Sequence, residues 1–154
     1  MIDDRTTAYV IAAQPVFEDL RQVAAQLAGM LVLFATGSKT AAPDHPILTT
    51  ASALFAQAAD AVARINASVT EPAREHYDAL AASAVSLRVA LAAARSELGK
   101  PGVAADLDAP LVALRHAYDC LQRAASALPG FQMVSFDQAC CVTARQPPSP
   151  STAY

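Results

Sequence analysis

Two adjacent thiols, Cys140 and Cys141, are the most distinctive chemical feature of the sequence, and a third, Cys120, stands four residues after His116. Thiolates and an imidazole are sound ligands for zinc or copper. The i, i+4 spacing puts His116 and Cys120 one turn apart on a helix. A chain that reverses at Pro129-Gly130 has about ten residues before Cys140, and at roughly 3.3 Å per extended residue it reaches back over that helix. Cys120, Cys140, Cys141 and His116 are therefore the candidate metal or redox set, with zinc or copper as the cofactor it would take. Against it, adjacent residues of an extended segment point to opposite faces, and no Cys-x-x-Cys or second histidine completes a recognised pattern. The plainer expectation is small, buried, apolar cysteines, reduced because three late cysteines make no secreted disulfide framework.

Other chemistry finds fewer carriers. Di-iron bundles use inward glutamates and Glu-x-x-His pairs, and none of Glu18, Glu71, Glu75 and Glu97 stands three residues before a histidine. His76, flanked by Glu75 and near Asp78, is the type of histidine that a phosphotransfer bundle presents to solvent, although a first-turn histidine among acids is expected simply to be solvated. His45 falls in a capping turn. There is no glycine-rich phosphate loop, no Gly-x-Ser-x-Gly elbow and no haem-attachment motif. Catalysis has no visible carrier, so the chain reads as a non-enzyme.

The elements that position these residues are helices. Phe17, Leu20, Ala24, Leu27, Leu31 and Phe34 fall three and four apart and make one apolar stripe, opened by Pro15 and stopped by Gly37. A short helix capped by Asp3 or Asp4 precedes it, and a kink or break is expected at Pro15, whose ring clashes with the Ile11 carbonyl in an unbroken helix. Asp44-His45-Pro46 starts a second helix with Ile47, Ala51, Leu54, Ala58, Val62 and Ile65 on one face. Thr70-Glu71-Pro72 starts a third, with Tyr77, Leu80, Ala84, Leu87, Leu91, Ala94 and Leu98 in the cleanest heptad. Asp106 or Asp108 with Pro110 opens a fourth, bearing Leu107, Leu111, Leu114, Tyr118, Leu121, Ala125 and Leu128 and closed by Pro129-Gly130. On that count His116 and Cys120 point away from the core. Short connections favour an all-α, antiparallel up-down-up-down four-helix bundle over residues 1–130. Residues 131–154 form a C-terminal tail, in which Phe131, Met133, Val134 and Phe136 are apolar enough to dock and the proline-rich end stays irregular.

Composition says what such a bundle does not do. Net charge is -3 and no basic patch is present, which argues against nucleic acid. The acidic start and the lack of an apolar leader read as cytoplasmic. The longest unbroken apolar run, from Ala28 to Ala35, is less than half of the roughly 20 residues a membrane span needs. Nine arginines against Lys39 and Lys100 suit a GC-rich bacterial genome.

Only 16% of residues are charged, so four helices cannot all carry charged outer faces. No ionisable residue lies between Arg21 and Lys39, between His45 and Asp60, or between Asp78 and Arg88. Small uncharged flanks let another helix layer approach, so self-association as a homodimer, or a helical protein partner, is the first functional expectation. The alternatives are the thiol or metal set and a small apolar ligand held between helices near Phe17, Phe34 and Phe55.

Overall fold

A computed structural model describes residues 3–35, 46–98, 106–133 and 136. Its helices are α1 (Asp4–Ala35), α2 (Pro46–Ile65), α3 (Arg74–Leu98) and α4 (Asp108–Ala127), with short 3-10 turns at Asn66–Ser68 and Glu71–Ala73 before α3, and no strand among the described residues. The fold is all-α. Each helix packs on the next, the α3–α4 interface is the most extensive, and α4 closes back on α1. Tyr9 of α1, His76 at the start of α3 and Phe131 after α4 meet at one end, which fixes α1 parallel to α3 and α4 antiparallel to both.

The prolines explain the starts. Pro46 and Pro110 occupy first turns, where a missing backbone N–H costs nothing, and Asp3 caps α1 by accepting the Thr6 N–H at 2.7 Å. That bond holds the Asp3 carboxyl below its ordinary range. Of the kink or break expected at Pro15, the break does not occur: α1 runs through it as one helix. Pro15 and Ile11 are both exposed, so water can serve the carbonyl that the proline leaves without a donor, while Tyr9, Ala13, Val16 and Phe17 hold both halves on one buried stripe. At the far end of α4, Gly130 takes a φ of 96°, the left-handed conformation that favours glycine, and its carbonyl accepts a hydrogen bond from Gln14 Nε2 at 2.7 Å.

The core is a continuous cluster through all four helices. Where α3 meets α4 the facing side chains are small: Ala79, Ser83, Ser86 and Ala90 on one, Ala117, Cys120 and Ala124 on the other. Small residues let the two backbones approach closely. The charge-free run of α3 after Asp78 is therefore covered in part by the chain's own fourth helix. A window of the helical stretch Glu71–Leu98 is long and apolar enough, at mean hydropathy 1.3, to cross a membrane by length and composition, and half of it is packed inside the bundle.

Candidate functional site

His116, Ser86 and Cys120 meet where α3 and α4 face each other. Ser86 Oγ lies 2.6 Å from His116 Nδ1, Cys120 Sγ lies 3.9 Å from the same nitrogen, and Arg123 Nη2 donates to Cys120 Sγ at 3.2 Å. His116 is exposed, as its heptad position suggests, but Cys120 is fully buried. The expectation that both point outward is corrected for Cys120. The leucine heptad of α4 describes its contact with α1, while Cys120 lies on a second stripe, with Ala117 and Ala124, that the wide α3 interface covers.

As ligands, His116 and Cys120 are close enough to share one ion, but the Arg123 guanidinium beside the sulfur opposes a cation there. No group of three potential ligands exists among the described residues. Cys140 and Cys141 lie outside them. As a nucleophile and base, Ser86 and His116 have the separation that acyl transfer requires. Ser86, however, stands in the middle of α3, where the backbone N–H groups are spent on the helix, so no donor pair remains beside it for an oxyanion. What the contact does among the described residues is orient the imidazole.

Around this pair lies a groove of about 710 Å³, open to solvent and walled by Val85, Val89, Ala109, Val112 and Ala113, with Asp106 and Asp108 at one end and His116 at the other. Val85, Val89 and Val112 are 57%, 54% and 70% exposed. Three valines bare to water on facing helices make a contiguous apolar surface, unlike the singly scattered Ile11. Sequence reasoning passed over Val85, Val89 and Val112 because none belongs to a leucine seam. The available signal was that a β-branched residue off the seam has no local reason to be there.

His76 has a different setting. It is fully buried, with Nδ1 2.8 Å from the Tyr9 hydroxyl, its ring stacked at a tilt on Phe131 at 4.3 Å, and Nε2 buried without a partner. Burial pushes its pKa down to about 4, so it is neutral at pH 7, and burial likewise pushes Tyr9 well above the ordinary phenol range. The expectation of a solvated, phosphotransfer-competent histidine is overturned. His76 stands four residues before Leu80 and shares its face, so it continues the core stripe by one turn.

The aromatic positions are also packed. Phe131 sits edge-on to Phe17 at 5.1 Å, and Phe136 packs on Tyr118 under Arg115. The Arg88 guanidinium covers Phe55, and Phe34 is half-buried against the core. His45 and Val134 lie outside the described residues. No family model, no curated protein and no solved structure matches the chain.

Proposed function

We propose that this is a non-enzymatic, cytoplasmic helical-bundle protein that acts through protein contacts, with a second copy of itself as its partner. The observation that supports it is the valine-lined groove between α3 and α4. Three valines per copy make a small apolar contact, so the dimer they support is a reversible one. Sedimentation velocity over about 5 to 200 μM should show the sedimentation coefficient rising with concentration, as for a dissociation constant in the micromolar range. Val89→Glu should abolish that rise while leaving the helical circular dichroism intact. A chain monomeric throughout that range would sink the proposal.

The 3.9 Å approach of His116 to Cys120 favours a second reading, a zinc or copper site completed by Cys140 and Cys141. The reduced protein should then bind one zinc per chain and release up to three protons, one from each thiol, and Cys120→Ser should remove that binding. Unchanged binding in the variant, or none in the parent, excludes it.

A further inference from the structure

Asp108, Val112 and His116 are spaced four residues apart along α4 and all three line the groove. Successive steps of four residues keep side chains on one face of a helix, so the face reads acid, valine, imidazole from its N-terminal end. This pattern is complementary to itself in one direction only. If two copies of α4 cross in parallel, Asp108 meets Asp108 and His116 meets His116, which opposes like groups. If they cross antiparallel about a two-fold axis at Val112, each residue four before the axis meets the one four after it, and Asp108 of one copy faces the partner's His116, twice.

We infer that the chain self-associates through the α3–α4 groove by an antiparallel, two-fold crossing of α4 centred on Val112, flanked by two Asp108–His116 pairs between the copies. The inference rests on the self-association proposed above and specifies its register. Val85 and Val89 of α3 form the second wall, into which the partner's Val112 packs. Ser86 supplies what the pairs need in orientation: its hydroxyl engages Nδ1 at 2.6 Å, which leaves Nε2 to face the partner's Asp108.

Sedimentation equilibrium, with circular dichroism alongside, tests this register. Asp108→Asn and His116→Gln should each weaken the dimer about five-fold, as expected when two solvent-exposed pairs are lost, and the exchange Asp108→His with His116→Asp should restore the parent affinity. A dimer that Val89→Glu breaks, but that neither Asp108→Asn nor His116→Gln weakens, overturns the antiparallel register and leaves self-association standing. Absence of a dimer overturns both.

Discussion

Two described histidines lie along the α3–α4 pair, one at its end and one near its middle, and they differ in nearly every respect that matters to a side chain. His76 is sealed between Tyr9 and Phe131, kept neutral by burial, with one ring nitrogen left without a partner. His116 is exposed, held by one serine, at the edge of an open apolar groove. The same side chain is thus sealed into the core at one site and left open to solvent at the other. What separates them is the size of the neighbours. Tyr9, Phe17 and Phe131 fill the closed end, whereas Ala109, Ala113 and three valines line the open groove and leave space that nothing described in the chain fills.

The largest effect should come from opening the closed end. Phe131→Ala removes the ring stacked on His76 and set against Phe17, and is expected to cost about 3 kcal/mol of unfolding free energy, measured by urea denaturation. If the loss is below about 1 kcal/mol, the closed end is not as tightly filled as its geometry indicates.

Next in size is acid. His76 binds its proton near pH 4 when folded and near 6.5 when unfolded, so the unfolded chain holds the extra proton between those values. Its contribution is complete above pH 6.5 and is lost as pH falls towards 4. Allowing for partial screening at the end of the bundle, the loss should reach roughly 2 to 3 kcal/mol. His76→Phe should flatten this part of the stability profile, and an unaltered slope would mean that other groups cause it. At the open groove, His116→Ala should change monomer stability by less than about 0.5 kcal/mol, so that equal losses from His76→Ala and His116→Ala would erase the contrast.

Much of this was legible in the residues, though unevenly. The helix starts followed from Pro46, Pro72 and Pro110 and the closing turn from Gly130, because proline and glycine act locally through backbone geometry. The α1 stripe from Phe17 to Leu31 followed from leucine spacing, but in α2 Leu48 and Phe55 are buried where the expected face has Ile47 and Leu54, which are only partly so. What failed was tertiary in origin. Pro15 was expected to interrupt α1, but packing on both sides of it carries the helix through. Cys120 and His76 were placed by a single-seam count, whereas α3 and α4 each bury two stripes, and the second is marked only by alanine, serine and cysteine, which carry little hydrophobic signal. Ser86 could not be paired with His116 from sequence, since their contact depends on the register between two helices.

The clasp between Gln14 and the Gly130 carbonyl joins positions 116 residues apart, and Phe131 is the residue that follows. Synthesis runs from the N-terminus, so α1, α2 and α3 leave the ribosome while the imidazole of His76 still lacks its lid. The nascent chain must carry that bare imidazole while the residues from His76 to Phe131 are made, and the turn at Gly130 is what ends its exposure.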